Sequence, residues 1–225
     1  MADAAALAEG GVDALIVENY GDAPFHAGPV DAWTIAAMTR VALAVRAAAP
    51  RIALGINVLR NDALAALAIA KACDAAFVRV NIFAGAMSTD QGVITGQARE
   101  FWLERNRIGA ESVRIAADVL VKHAVPLAPM GIDAAARDLV ERAGADVVIV
   151  TGTGTGQETD AEHVSAARSA VRCPVWVGSG WRPDRSAAGK RADGIIVGTW
   201  LHAGGDLSAP IDLARVRAAR TALTG

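Results

Sequence analysis

Two short stretches near the C-terminal end of the chain decide the fold: Pro-Val-Trp-Val-Gly-Ser-Gly at residues 174–180 and Asp-Gly-Ile-Ile-Val-Gly-Thr at residues 193–199. Each is an apolar run that ends abruptly in Gly-Ser-Gly or Gly-Thr, which is typical of a buried parallel strand entering a tight turn. In (β/α)8 barrels the loops after the last two strands bind phosphate through backbone N–H groups, which a Cβ atom would hold away from the anion. Ordinary strand-ending turns are the alternative. The phosphate-binding residues predicted from this pair are Gly178, Ser179, Gly180, Gly198 and Thr199.

The chain before and between these stretches alternates strand patterns with alanine-rich helical patterns. The predicted strands cover residues 12–17, 52–58, 75–80, 113–120, 146–150, 175–177 and 195–197. The predicted helices cover residues 2–9, 31–49, 63–72, 97–107, 133–143, 161–171 and 212–223, with a short helix after Pro183. Residues 83–96 form a long connection, which is usually a lid or a binding loop. Such alternation predicts a parallel sheet with right-handed crossovers.

The number of strands favours an incomplete barrel. A closed barrel has eight strands, and the first is missing here because the chain begins with a helix. We therefore predict an α/β fold of the TIM type, a (β/α)8 barrel lacking its first strand, with seven parallel strands and incomplete closure. An open doubly wound sheet competes with it, but no dinucleotide-type glycine turn follows the first strand. No linker divides residues 1–225, so a single domain is predicted.

Composition restricts the partners and the compartment. The net charge is −2 and aromatic residues make up 4% of the chain, which argues against nucleic acid as a partner. Cys73 and Cys173 are far apart in sequence and suggest no disulfide framework. No apolar run is long enough for a membrane span, and the N-terminus does not resemble a secretory signal. We therefore expect a cytoplasmic protein.

The unpaired strands at both edges of the sheet also predict aggregation or a homo-oligomer. The chain should be less stable than one extended upstream by one strand.

Polar residues stand at the C-terminal ends of five successive strands. Strand alternation in residues 113–120 directs Ile115 and Ala117 to the helices and Asp118 to the interior. Barrel active sites occupy this face, so a ligand site is predicted. The alternative is a structural layer in which Arg79 pairs with Glu18 or Asp118. The candidates are Glu18 and Asp118 for acid/base chemistry and Asn57, Arg79, Asn81, Asp90 and Thr151 for substrate binding.

Lys122 is one of three lysines in the chain and follows the strand that carries Asp118. A lysine changes its pKa readily on burial, which suits base or Schiff-base chemistry. A rim lysine paired with Asp118 is the alternative. His123 has outward parity, so a general-base role is not expected for it.

Two further patterns involve ions. No cofactor is predicted, although Glu18 with Asp118 is a weak alternative site for Mg²⁺. The repeat Thr-Gly-Thr-Gly-Thr-Gly at residues 151–156 lacks the Gly-Lys-Ser/Thr of a nucleotide P-loop. Its amides and hydroxyls, including Gly152, are predicted to supply a second anion contact.

Several segments together resemble the motifs of the BtpA/SgcQ family. The hallmark is Gly-Val-Asp-Ala-Leu-Ile-Val-Glu-Asn-Tyr-Gly-Asp-Ala-Pro-Phe at residues 11–25, joined by residues 55–62, 79–81, 89–92, 118–123 and 151–156. The resemblance covers nearly the whole chain and implies a ribulose-phosphate-binding barrel. The family's namesake is described as a factor for photosystem I accumulation, and other members accompany sugar-metabolism genes. Family members begin with a strand ending in Met-(Val/Ile)-His-Leu-x-Pro-Leu-Pro-Gly, so we expect this chain to be truncated at its N-terminus, through a misassigned start or as a degenerate member.

The leading functional hypothesis is an enzyme, or an enzyme-derived binder, that acts on a small phosphorylated sugar-like metabolite. Glu18, Asp118 and Lys122 would supply acid/base chemistry of the isomerase or aldolase type. The rival hypothesis is a non-catalytic assembly or stability factor of the photosystem I biogenesis type.

Overall fold

The structure, a computed structural model, describes residues 1–152, 154, 158–185 and 187–224. Its strands are β1 (Ala14–Glu18), β2 (Ala53–Asn57), β3 (Phe77–Val80), β4 (Ala86–Thr89), β5 (Gly92–Thr95), β6 (Arg114–Val119), β7 (Ala124–Pro126), β8 (Val147–Val150), β9 (Val175–Val177) and β10 (Gly194–Ile195). Its α-helices are α1 (Ala2–Glu9), α2 (Ala32–Ala48), α3 (Ala63–Ala72), α4 (Ala98–Arg107), α5 (Ile132–Arg137), α6 (Ala161–Ala170) and α7 (Leu213–Thr224).

Seven of these strands form one parallel sheet in the order β1-β2-β3-β6-β8-β9-β10. The sheet curls with the helices outside it, which confirms the predicted TIM-type barrel of seven strands. Among the described residues β1 and β10 do not pair with each other, so the barrel is incompletely closed. All seven carboxyl ends point to the same face, where barrel proteins place their sites.

The side chains of the sheet divide into two apolar layers according to strand parity. Ile115, Ala117 and Val119 of β6 belong to the large core between the sheet and the helices. Ala116, on the opposite face of β6, packs with Phe77 and Ile149 inside the barrel. This division confirms the predicted directions along β6 and therefore places Asp118 on the interior side.

The outer ring of helices is continuous where the sheet is open, because α1 packs against α7. A Cβ atom on Gly10 would lie 2.2 Å from Cγ1 of Val216, so the backbone after α1 touches α7 directly. Exposed ion pairs from Arg217 to Glu9 and from Arg220 to Asp13 join the same two segments. The ends of the chain therefore meet through their helices.

Residues 83–96, predicted to be a long loop serving as a lid or a binding loop, form an ordered hairpin. β4 pairs with β5 through a turn in which Gly92 has a φ of 101°, and Thr89 Oγ1 donates to the carbonyl of Gly92 over 2.8 Å. β4 also pairs with the unpredicted strand β7, so a three-stranded antiparallel sheet stands beside the barrel mouth. The alternation Val93-Ile94 on β5 lets Ile94 pack with Met87 beneath the sheet.

The other differences are local. The predicted helix 133–143 is α5 followed by a π-helical turn at Asp138–Arg142, and the short helix after Pro183 is a 3-10 turn at Gly189–Arg191. The predicted strand 195–197 pairs only over the two residues of β10. In the part of the chain that the structure describes, no helix is long and apolar enough to cross a membrane.

Candidate functional site

A large cavity of about 1270 Å³ opens at the carboxyl ends of the parallel strands. Loops from both edges of the sheet line it, and the tip of the β4–β5 hairpin adds Asp90 and Gln91. The predicted site residues that line the cavity are Glu18, Arg79, Asn81, Asp90, Lys122, Gly178, Ser179, Gly180, Gly198 and Thr199. The structure therefore brings most of the predicted set to one space.

Two asparagines fasten the loops on one side of the mouth. Asn19, after β1, accepts from the backbone N of Leu59 over 2.7 Å and donates to its carbonyl over 3.2 Å. Asn61, after β2, holds the backbone of Ile82 in the same way, over 2.7 and 2.8 Å. Each side chain thus bonds both the N–H and the carbonyl of one residue in the next loop, which holds the loops together beyond the ends of the strands.

Two side-chain hydroxyl groups hold the loops after β6 and β8 through hydrogen bonds to the backbone. The backbone N of Lys122 donates to Thr151 Oγ1 over 3.1 Å, and the backbone N of Gly152 donates to Ser179 Oγ over 3.0 Å. Thr151 and Gly152 therefore support the loops behind the cavity and do not line it. Thr153, Thr155 and Gly156, which belong to the predicted second anion contact, lie outside the described residues.

A buried ion pair lies at the base of the cavity, where Arg79 lines the space and Asp118 lies behind it. Asp118 accepts from Arg79 Nε over 3.0 Å, from Arg79 Nη2 over 2.9 Å and from Asn81 Nδ2 over 3.0 Å. Burial disfavours the charge on Arg79, but the charge of Asp118 and its hydrogen bonds outweigh this effect and raise the pKa of Arg79. Both carboxylate oxygens are thus occupied, which favours the structural role for Asp118 over acid/base chemistry. Asn81 Oδ1 is buried and has no hydrogen-bond partner among the described residues.

Glu18 stands at the edge of the cavity, where Asn57 holds it. The amide Nδ2 of Asn57 donates to Glu18 Oε1 over 2.5 Å, across the register of β1 and β2. Asn57 is buried and does not line the cavity, so it positions Glu18 instead of touching a ligand. The Mg²⁺ alternative requires Glu18 and Asp118 to share a cation, and the guanidinium on Asp118 disfavours it. The described residues contain no group of three or more metal-ligating side chains.

Lys122 is half-buried, and none of the ion pairs of the described residues includes it. The predicted alternative of a pair with Asp118 is therefore not what the structure shows. Burial lowers the pKa of Lys122, and the positive charges of Arg79 and Arg60 lower it further against the attraction of Asp118 and Glu18. A lysine with a lowered pKa in a cavity has the property that base or Schiff-base chemistry needs.

The two glycine turns, after β9 and β10, line the same cavity as Lys122. Gly178 leaves no room for a side chain, because its Cβ would lie 2.6 Å from Ile149 Cγ2 and 2.8 Å from Thr151 Cγ2. Gly180 has a φ of 71°, and a Cβ on Gly198 would meet no atom within 4 Å. The backbone amides of Ser179, Gly180, Gly198 and Thr199 donate to no other described residue. These amides are therefore available to an anion in the cavity.

Sequence reasoning missed several residues of the cavity, including Arg60, His123, Arg182 and His202. Arg60 lines it and is 5% exposed. His123 also lines it, and the prediction of outward parity for His123 was wrong. Leu120 and His123 have φ values of 48° and 58°, so the alternation of β6 does not continue past Val119. For Arg60, the position directly after β2 was the available signal.

The fold and the cavity at its carboxyl ends define the class as TIM-barrel proteins. A comparison with protein-family models matches residues 1–224 to the BtpA family, and the chain belongs to that family. It is 44% identical over 220 residues to the photosystem I biogenesis protein BtpA of Synechocystis, covering 96% of this chain and 75% of the relative. An uncharacterised protein of Thermococcus kodakarensis is 43% identical over 216 residues, covering 96% and 81%. The comparisons do not bear out the expectation of a truncated N-terminus.

Solved structures of other proteins show the same fold at low sequence identity. Phosphoribosyl anthranilate isomerase from Thermus thermophilus aligns with a TM-score of 0.63 at 14% identity, covering 99% of this chain and 94% of that one. KGPDC from Streptococcus mutans aligns with a TM-score of 0.58 at 15% identity, covering 98% and 90%. A dimeric phosphoribosylanthranilate isomerase from Thermotoga maritima, studied as monomers, aligns with a TM-score of 0.62 at 14% identity, covering 99% and 93%.

Proposed function

We propose that this protein is an enzyme, or an enzyme-derived binder, of a small phosphorylated sugar-like metabolite. One observation carries the proposal: two glycine turns with available backbone amides line the same cavity as Lys122 and Glu18. Backbone amides at such turns bind phosphate in barrels of this type. The phosphate would rest on Gly178, Ser179, Gly180, Gly198 and Thr199, and the rest of the metabolite would extend toward Lys122.

Proton transfer or imine formation at Lys122 is the chemistry we propose for this site. In its neutral form the amine accepts a proton from carbon or attacks a carbonyl group, which corresponds to isomerase- or aldolase-type reactions. Glu18 would be the second acid/base group. The unpartnered Oδ1 of Asn81 would accept a hydrogen bond from a sugar hydroxyl. Asp118 would act indirectly, because it holds Arg79 and Asn81 in place.

The comparisons support the fold on which this proposal rests. The names of the similar structures include a phosphoribosyl anthranilate isomerase and an aldolase, the latter YdjI from Escherichia coli with a TM-score of 0.55. A ribulose-phosphate-binding barrel is consistent with these names and with the position of the glycine turns. Because one fold serves many reactions, the site residues and not the likeness must decide the chemistry.

A thermal-shift screen with phosphorylated sugars and their unphosphorylated counterparts tests the proposal. A phosphosugar at about 100 times its Kd should stabilise the protein by about 2.7 kcal/mol, and the unphosphorylated sugar should not. Gly198→Val is the matched variant. A Cβ at this position meets no atom within 4 Å, so the valine side chain should occupy the phosphate position and abolish the thermal shift. Stabilisation by no phosphosugar in the screen would reject the proposal.

A second candidate is a non-catalytic assembly or stability factor. The name of the Synechocystis relative favours it, since that protein is called a photosystem I biogenesis protein. A factor of this kind would be captured with a protein partner and would tolerate Lys122→Met and Gly198→Val. Loss of its biological effect in both variants would favour the metabolite-binding function instead.

We further propose a cytoplasmic homo-oligomer. The free sulfhydryl groups of Cys73 and Cys173 suit a reducing compartment, and the open edges of β1 and β10 can pair with another chain. Light scattering coupled to size-exclusion chromatography tests the oligomer, and a monomer at all concentrations would reject it. Cell fractionation tests the compartment.

A further inference from the structure

Arg60 is a buried cation that faces the cavity without an anionic partner. The residue is 5% exposed, and its Nη2 donates to the carbonyl of Lys122 over 3.0 Å. No ion pair of the described residues includes Arg60. A guanidinium has five N–H groups, so this single bond leaves most of its donors unused.

Removing a charge from water without pairing it is costly, so an unpaired buried guanidinium requires an explanation. Burial lowers the pKa of Arg60, and the carboxylates of Asp118, Asp90 and Glu18 offset this only from a distance. Asp118 is already occupied by Arg79. With Lys122 beside Arg60, this wall of the cavity carries positive charge that no carboxylate of the described residues neutralises by contact.

Arg60 and the glycine turns lie far apart in the sheet. Arg60 follows β2, the second strand in sheet order, whereas the glycine turns follow β9 and β10, the sixth and seventh. Both nevertheless line the same cavity of about 1270 Å³. That volume exceeds the need of a single phosphate group and leaves room for a ligand that reaches both walls.

We propose that the ligand of this site carries two anionic groups: a phosphate on the glycine turns and a second oxyanion, carboxylate or phosphate, on Arg60. The planar guanidinium suits both groups because each presents two oxygens to it. This inference rests on the proposed function, because it assumes that the first phosphate occupies the glycine turns. It narrows the substrate class to phosphorylated sugar acids and sugar bisphosphates.

Two matched pairs of probes test the second anion by isothermal titration calorimetry. Glucose 6-phosphate and 6-phosphogluconate differ by a carboxylate, and fructose 6-phosphate and fructose 1,6-bisphosphate differ by a phosphate. In at least one pair we expect the probe that carries the second anionic group to bind the wild-type protein at least about tenfold more tightly than its partner, as a charge-assisted hydrogen bond predicts. A preference in the first pair identifies a carboxylate, and one in the second pair a phosphate. Equal affinities within both pairs would overturn the inference.

The variant Arg60→Gln tests whether Arg60 causes this preference in affinity. The variant should lose the tenfold preference, whereas Arg99→Gln, an equal change of charge at an exposed position, should keep it. A preference retained by Arg60→Gln overturns the assignment. If Arg60→Gln does not fold, Arg60→Lys replaces it, and a preference that this variant keeps in full overturns the role of the guanidinium. If no phosphosugar binds at all, the proposed function itself fails; if only the preference is absent, the second anion alone is wrong.

Discussion

Arg79 and Asp118 form a bidentate ion pair at the base of the cavity, with the two side chains 6% and 0% exposed. Removing one member of such a pair leaves the other charge buried and unpaired, which costs about 3–5 kcal/mol. We therefore expect Asp118→Asn to lower the free energy of unfolding by about this amount, measured by urea denaturation.

The control for this prediction is Glu104→Gln, which breaks the exposed pair with Arg107 and should leave the unfolding curve unchanged. An Asp118→Asn protein that is as stable as the wild type but inactive toward an identified substrate would restore Asp118 as an acid/base residue.

Alanine substitutions at Gly178 and Gly198 should have different effects, the first on packing and the second on ligand binding. Gly178→Ala places a Cβ 2.6 Å from Ile149 Cγ2 and should destabilise the protein by about 1–3 kcal/mol through overpacking. Gly198→Ala meets no atom within 4 Å, so its melting temperature should stay near that of the wild type while its affinity for a phosphosugar falls. Thermal unfolding with and without ligand measures both effects. Equal affinity in Gly198→Ala and the wild type would remove this turn from the phosphate site.

Lys122 should make stability depend on pH in the alkaline range. Because burial lowers its pKa below 10.5, the unfolded chain binds more protons than the folded one between the folded-state pKa and 10.5. The free energy of unfolding contributed by Lys122 therefore rises with pH across that window, and below it the buried charge is destabilising.

Lys122→Met should lose this component and be at least as stable as the wild type at neutral pH, whereas Lys190→Met, at an exposed lysine, should retain it. Urea denaturation at several pH values up to 10.5 gives the difference between the two variants. Identical slopes for both would show that Lys122 is not desolvated.

The contact of α1 with α7 should contribute to stability although the sheet is open there. Gly10→Ala places a Cβ 2.2 Å from Val216 Cγ1, and we expect a loss of about 1–3 kcal/mol from overpacking. Val216→Ala removes the obstructing methyl groups, so the double variant should lose less than the sum of the two single variants. A double-mutant cycle by denaturant unfolding measures this coupling. Strict additivity would mean that the two helices do not touch in solution.

Local patterns were sufficient to predict most of the elements that position the site. α1, α3 and β9 have the predicted bounds: Gly10 follows α1, Asp62 caps the start of α3, and Gly178 follows β9. The inward direction of Asp118 followed from the period of two along β6. Element bounds and side-chain directions depend on residues that are close in sequence, so local sequence patterns predict them.

Contacts between distant segments were beyond local reasoning. β4 pairs with β7 across more than thirty residues, so the hairpin was mistaken for a loop. Strand parity predicts the direction of a side chain but not its hydrogen-bond partners. Only the tertiary structure shows that both carboxylate oxygens of Asp118 accept hydrogen bonds from Arg79 and Asn81. The same is true of Arg60, because its burial without an anion results from loops that other strands bring together. Amino-acid type and spacing determined the barrel and its polar rim, whereas the three-dimensional packing decided which charges are neutralised and which face the cavity.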